Sequence, residues 1–308
     1  MRIGLMVGAT EGPDGTLDGL VATAKRYEAA GFDNLWMANI FGLDAINALA
    51  IVGRETSRIA LGTAVVPTYP RHPVAIAQQA LTTQVAAKGR FSLGIGLSHK
   101  IVIENMFGFS YDKPARHMKE YLEVLAPLCR GEGVKYKGEQ YNVAAQLQVP
   151  GATSVPILVA ALGPVMLKLT GRLADGTITW MTGPKTLAKH IIPVLREAAK
   201  DAGRPEPRVV AGFPIVVTNK PAEARESIGK QLVIYGQLPS YRAMLDMEGV
   251  AGPAELALAG DEKYLHGEIA RLRDLGVTDF DAAIMSIDEG AYERTLGFLA
   301  SELAGAKK

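Results

Sequence analysis

The feature that most constrains this chain is a regular alternation of short runs rich in Val, Ile, Leu and Met with segments of helical periodicity, the pattern of a parallel sheet. The runs are 2–9 (RIGLMVGA), 33–39 (DNLWMAN), 59–66 (IALGTAVV), 91–97 (FSLGIGL), 156–162 (PILVAAL), 176–181 (GTITWM), 208–218 (RVVAGFPIVVT) and 279–286 (DFDAAIMS). Between the first two, Leu17, Leu20, Ala24 and Tyr27 share one helical face, and Gly31 stands where a left-handed residue ends a helix. The same phrase returns twice, closing at Gly203 and at Gly276.

Strand starts near Ile3, Asn34, Ala60 and Ser92 give steps of 31, 26 and 32 residues, the size of a minimal strand–helix repeat. Later starts near Ile157, Thr177, Val209 and Asp281 give 65, 20, 32 and 72, so two steps carry insertions. The first, about 98–155, contains a helix from Pro114 to Arg130 and a polar hairpin-like stretch, VKYKGEQYNV. The second, about 219–277, reads as short helices broken by Pro239, Gly249, Gly252 and Pro253. Eight repeats without a central linker predict a single α/β domain over 1–308. Its fold class is a (β/α)8 TIM barrel with insertions after strands 4 and 7. An open dinucleotide-binding sheet would need GxGxxG after its first strand, and TEGPDGTLDG does not fit it.

Composition removes several classes of function. Lys+Arg 33 against Asp+Glu 32 leaves a net charge of +1, which excludes a polycation that binds nucleic acid through neutralised phosphates. A single cysteine, Cys129, forms no internal disulfide and points to a reducing compartment. The first residues lack the apolar core of a signal peptide, and no apolar run is long enough to span a membrane. The expected setting is cytoplasmic, with a small-molecule partner and neither nucleic acid nor membrane.

In a barrel of this kind chemistry sits on the loops after the strand C-termini. These are Gly8–Glu11, Asn39–Phe41, Ala64–His72, Gly96–Lys100, Ala160–Pro164, Thr179–Thr182 and Thr218. In VAALGPVMLKL a strand breaks at Gly163 and Pro164 and a helix begins, whose free amides make an anion site; equally, any strand-to-helix turn favours Gly and Pro. His99 stands at a strand end beside Lys100, placed either as acid, base or hydrogen-bond donor, or as a partner of a loop carbonyl. His72 has the same two readings, while His117, His190 and His266 fall in helical patterns that face solvent or fill grooves. No histidine, cysteine or carboxylate set has metal-site spacing, and neither a GxSxG elbow nor a Walker loop is present. Cys129 lies on a helix face with Leu122 and Leu125 and reads as core. Trp36 and Trp180 either fill the core or line a planar ligand, and Arg71 and Lys100 either meet an acidic group or stay solvated.

One stretch carries a recognisable pattern. LGTAVVP, followed by HPVAIAQQALT and GRFSLGIGLSH with Glu104, Gly108 and Pro114 downstream, resembles the bacterial luciferase-like monooxygenase superfamily. VAALGP with LADGTITW, IGLMVGA and AAGFDNLWM extend the likeness over nearly the whole chain. The chain is most similar to the branch that uses the deazaflavin coenzyme F420; another branch uses FMN. The resemblance implies that Ala64 and Val65 form a bulge with a non-prolyl cis peptide that supports one face of the deazaflavin. It implies that Asn39 touches the ring and that Gly96, Leu97, Ser98 and His99 line the site, with His99 the catalytic candidate. It also implies that Ala160, Ala161, Leu162, Gly163, Pro164 and Val165 hold the phosphate-bearing tail.

Alcohol and sugar-phosphate dehydrogenases of that branch carry an Asp-His pair at the second strand's end, where this chain has Asn39 and Ile40. Without the histidine as general base, reduction of an activated double bond or imine fits better than alcohol oxidation. The proton then comes from solvent or His99. Met6, Ile40, Phe41 and Trp180 suggest an apolar substrate. The resulting expectation is an F420-dependent oxidoreductase acting by hydride transfer, more as a reductase, and homodimeric. The alternatives are an FMN-dependent two-component monooxygenase and a non-catalytic carrier of a flavin-type cofactor.

Overall fold

The computed structural model of the protein describes residues 1–8 and 15–305. Ala9 of the first run, with Thr10 and Glu11 of the loop after it, lies outside the described residues. Eight strands form the barrel: β1 (Arg2–Val7), β2 (Asn34–Met37), β3 (Ala60–Thr63), β4 (Phe91–Gly96), β5 (Ile157–Val159), β6 (Gly176–Trp180), β7 (Arg208–Val217) and β8 (Asp279–Ile284). Each pairs in parallel with the next, and β8 pairs with β1 through Arg2↔Asp279 to Leu5↔Ala282, which closes the ring. All eight expected runs are strands of the barrel.

Helix boundaries follow local chemistry. Thr16 caps Leu17–Ala30 by accepting the Gly19 N–H (3.2 Å), and Gly31 ends it at φ 91°. That helix buries Leu20, Ala24 and Tyr27, the face expected from their spacing. Gly203 and Gly276 likewise take positive φ, 65° and 96°, after their helices.

The first insertion holds a short helix (Lys100–Asn105), the barrel helix Pro114–Cys129 and a hairpin of Val134–Lys137 with Asn142–Ala145. Glu120, buried on that helix, fixes the hairpin by accepting the N–H groups of Glu139, Gln140 and Tyr141 at 3.0, 2.8 and 3.1 Å. The second insertion contains helices Pro221–Gln231 and Pro239–Glu248 with short 3₁₀ turns at Val233–Gly236 and Pro253–Leu256. It also carries a short strand, Leu258–Gly260, that adds to β7 and was not anticipated, three residues being too few to show a period. Among the described residues no helix is long and apolar enough to cross a membrane.

Two separate cores result. One lies between the ring and its helices and contains most of the buried Leu, Ile and Val. The other fills the ring, where alternate residues of each strand point inward and the register groups them in layers of four from alternate strands. From the N-terminal end these are Asn34, Ser92, Gly176 and Asp279; then Gly4, Gly62, Leu158 and Val210; then Trp36, Gly94, Ile178 and Asp281; then Met6, Ala64, Ala160 and Gly212. Trp36 is 1% exposed and is core, as one of its two readings held. Its indole occupies space that side chains at Gly4 and Gly62 would need: a Cβ at Gly62 would lie 2.2 Å from Trp36 Cζ3.

Candidate active site

The C-terminal mouth of the ring opens into a cleft of about 1550 Å³, large for a single small molecule. Its floor is built at the end of β3. There the Ala64–Val65 peptide is cis, Ala64 N–H donates to Met37 O (2.7 Å), and Thr63 Oγ1 donates to Gly94 O (2.7 Å) while accepting the Gly94 N–H (2.8 Å). Glycine is required on the facing strand. A Cβ at Gly94 would lie 1.9 Å from Thr63 O, and one at Gly96 would lie 2.7 Å from Val65 Cγ2 and 3.2 Å from Ala160 Cβ. The sequence GIG in β4 is therefore the imprint of the bulge.

Asn39, Ala64, Val65, Ser98 and His99 all line this cleft. Asn39 Oδ1 accepts the Ala45 N–H (3.0 Å), which fixes the side chain and leaves its NH₂ as the donor toward the cleft. Ser98 takes a positive φ of 60°, and its carbonyl accepts the Tyr111 hydroxyl (3.2 Å). His99 begins the Lys100–Asn105 helix without capping it through its side chain, and burial depresses its pKa, so the imidazole is neutral at pH 7. Gly96 and Leu97 stand behind this wall rather than on it. Ala160 packs on Gly96 and Val65, but the stretch Ala161–Val165 does not reach the cleft lining. Leu162 O is taken by His190 Nε2 (2.7 Å), Gly163 and Pro164 open the Pro164–Leu173 helix, and Val165 is exposed.

The remaining candidates resolve one by one. His72 caps Pro73–Ala86, its Nδ1 accepting the Val74 N–H (3.3 Å). Arg71 meets Asp44 Oδ2 (2.6 Å), and Lys100 stays exposed beside Glu104 (3.8 Å). Cys129 is fully buried, and burial pushes its thiol up to about 12, the state of an inert core residue. His266 is exposed and bonded to Glu302 (2.9 Å). His117 lies on the Pro114–Cys129 helix and takes the groove-filling reading: it is interior, stacked on Tyr69 at 4.0 Å, with Nε2 2.9 Å from Thr68 Oγ1 and Nδ1 3.1 Å from Gln140 Oε1. The amide oxygen can only accept, so Nδ1 carries the proton and Nε2 accepts from Thr68. No periodic signal marks this role, because both partners come from loops. Among the described residues no three His, Cys, Asp or Glu side chains are placed to hold a metal ion.

Sequence reasoning missed an aromatic arc. Tyr241 lies 6.0 Å from His99 between ring centroids, Tyr235 lies 5.0 Å edge-on from Tyr241, and Trp180 lies 6.2 Å from Tyr235. All four line the cleft, so the arc runs from His99 after β4 to Trp180 at the end of β6. Burial raises both phenols, which remain O–H donors at neutral pH. The tyrosines come from the second insertion, whose short helices offer no pattern that points inward. Of the four residues expected to make the pocket apolar, Met6, Ile40, Phe41 and Trp180, all line it.

The luciferase-like monooxygenase family profile matches residues 1–293. A 5,10-methylenetetrahydromethanopterin reductase of Methanolobus tindarius is 28% identical over 258 residues, covering 83% of this chain and 78% of that protein. Among solved structures, a coenzyme F420-dependent tetrahydromethanopterin reductase from Methanopyrus kandleri superposes with a TM-score of 0.81 at 22% identity, covering 100% of this chain and 99% of that one. The FMN-bound oxygenating constituent of 3,6-diketocamphane monooxygenase from Pseudomonas putida gives 0.77 at 16% identity, covering 99% and 98%.

Proposed function

The chain belongs to the luciferase-like monooxygenase family, and from that premise we propose that it is an F420-dependent oxidoreductase working as a reductase on a neutral, apolar substrate. The observation that carries this reading is the cleft and its floor: Ala64 and Val65, held close against Gly94 and Gly96, line a cavity of about 1550 Å³ at the mouth of the ring, large enough for a tricyclic ring system and a substrate. When bound, the reduced coenzyme supplies a hydride; the protein's part is to position and to exclude water. Val65 and Ala64 would support the ring and the Asn39 amide would donate to its edge.

Ala160–Val165 would hold the phosphate-bearing tail, the helix start at Gly163 and Pro164 offering amides without side-chain caps.

Neutral His99 and the neighbouring Tyr241 hydroxyl are the groups available to hold or deliver a proton at the substrate. Both arginines of the lining are already paired, Arg71 with Asp44 and Arg26 with Glu293. An anionic substrate therefore finds no uncommitted guanidinium on the described lining, whereas Ile40, Phe41, Trp180 and Met6 favour an apolar one.

Titration with F420 and with FMN, followed by fluorescence, tests the cofactor; saturable F420 binding with none for FMN is expected, and the reverse would replace the reading with an oxygen-activating one. Assays of enones and imines with reduced F420 test the direction, His99→Ala lowering kcat about 10²-fold with binding retained. Binding without turnover of any such compound would favour a carrier.

A further inference from the structure

The layer directly beneath the cleft contains a carboxyl group that nothing in the proposed chemistry uses. Asp281 is completely buried at the centre of the ring, and neither of its oxygens has a hydrogen-bond partner among the described residues. Trp36, in the same layer, has an indole N–H that is equally buried and unpaired. The contrast with Asp279, two residues earlier on β8, is direct. Asp279 Oδ1 takes Arg2 Nη2 at 2.8 Å, Arg208 Nη2 at 3.0 Å and Asn34 Nδ2 at 3.1 Å, and Oδ2 takes Thr278 Oγ1 at 2.7 Å. Arg2 and Arg208 are thus both committed two layers below Asp281.

Above Asp281 the strand β7 contributes no side chain. Gly212 is the one member of the next layer without a side chain; a Cβ there would lie 3.6 Å from Asp281 Oδ2 and 2.9 Å from Trp180 Cε3. On the β7 side the edge of Trp180 thus stands over Asp281 where a side chain of residue 212 would otherwise lie.

A lone carboxylate in such a place, without cation or donor, is a far worse occupant than the protonated acid. We propose that Asp281 stands in the folded barrel as an uncharged carboxylic acid, and that it forms with the Trp36 N–H a hydrogen-bonding subsite for one small neutral molecule, water being the simplest. The acid offers one O–H donor and a carbonyl acceptor, the indole one donor, which is the complement a single water can satisfy. Burial first, and the charge of Asp279 second, drive the Asp281 carboxyl well above the ordinary carboxylate range. The charged groups facing it are Asp279 on its own strand, Arg208 on β7 and Arg2 on β1; β2 and β6 contribute Asn34, Trp36, Ile178 and Trp180, all uncharged.

Unfolded, Asp281 loses its proton near the usual pKa of about 3.9; folded, it keeps it, so stability falls as pH rises from there toward the folded value. Asp281→Asn keeps the shape and removes the titration. The ratio of the variant's folding constant to the parent's is expected to climb roughly tenfold per pH unit above that point, measured by urea unfolding from about pH 5 to 8. A ratio independent of pH overturns the uncharged acid. Should the variant fail to fold, the parent's infrared spectrum at about pH 8, where exposed carboxyls are ionised, decides the matter: a protonated-carboxyl C=O band is expected, and its absence overturns the proposal.

The subsite is tested by magnetisation transfer from water to the two indole N–H protons, Trp36 and Trp180 being the chain's only tryptophans and Trp180→Phe assigning them. Transfer from a long-lived water to the Trp36 N–H is expected, and none at Trp36 overturns the subsite. No arm involves F420, so failure of the coenzyme titration and failure of this proposal are separate results.

Discussion

At the N-terminal end of the barrel interior polar groups are bound to saturation, with Asp279 held by Arg2, Arg208, Asn34 and Thr278, and Ser92 receiving Arg208 Nη1 at 3.0 Å. At the C-terminal end Gly94, Gly96 and Gly212 give up side chains, Ser98 and Met181 take positive φ at 60° and 51°, and Asp281 and the Trp36 N–H go unpaired. One ring thus separates two tasks. The saturated end supplies stability, and the bare end gives up packing to keep space over a floor.

Breaking the saturated end has the largest expected effect. Asp279→Ala strands two arginines and should cost about 3–5 kcal/mol in urea unfolding; a cost below about 1 kcal/mol would mean that this end is no stabilising plug. Next comes the bare end at its tightest point. Gly94→Ala drives a methyl onto Thr63 O and should cost about 3 kcal/mol, with loss of F420 binding beyond what stability explains. Retained binding would dissociate the bulge from the cofactor. Smaller is the effect of Thr68→Val, which removes the hydroxyl that donates to His117 and should lower stability by about 1–2 kcal/mol with little change in F420 affinity. The smallest effect concerns His99. Its pKa is depressed by burial, so a His99-dependent inflection in kcat/KM belongs below about pH 6.5. The same shift makes acidification through that range destabilising, since the unfolded chain takes the proton more readily. An inflection above neutrality would show that a carboxylate, unseen in the free protein, joins the imidazole when substrate binds.

The saturated and the bare end were not equally legible in the sequence. The strand runs, the helix-ending glycines at Gly31, Gly203 and Gly276 and both insertions are local signals, and each became the expected element. The cis bulge and Asn39 followed from motif likeness, which carries backbone geometry that periodicity cannot. Tyr235 and Tyr241 escaped because they are placed by partners distant in sequence; His117 shares a buried helical face with Tyr121 and Leu128, and what escaped is its hydrogen bonding to Thr68 and Gln140 on distant loops. Asp279 and Asp281 sit two apart in a buried run and look alike on paper; only the ring shows that one meets two arginines and the other none.

The tyrosines of the arc belong to a segment outside the eight strands, whereas Ala64, Val65 and Gly96 belong to the ring itself or its immediate extension. Roof and foundation therefore have independent genetic addresses. Grafting residues 219–257 from a relative would rebuild that wall of the chamber while leaving the bench at Ala64 and Val65 as it is.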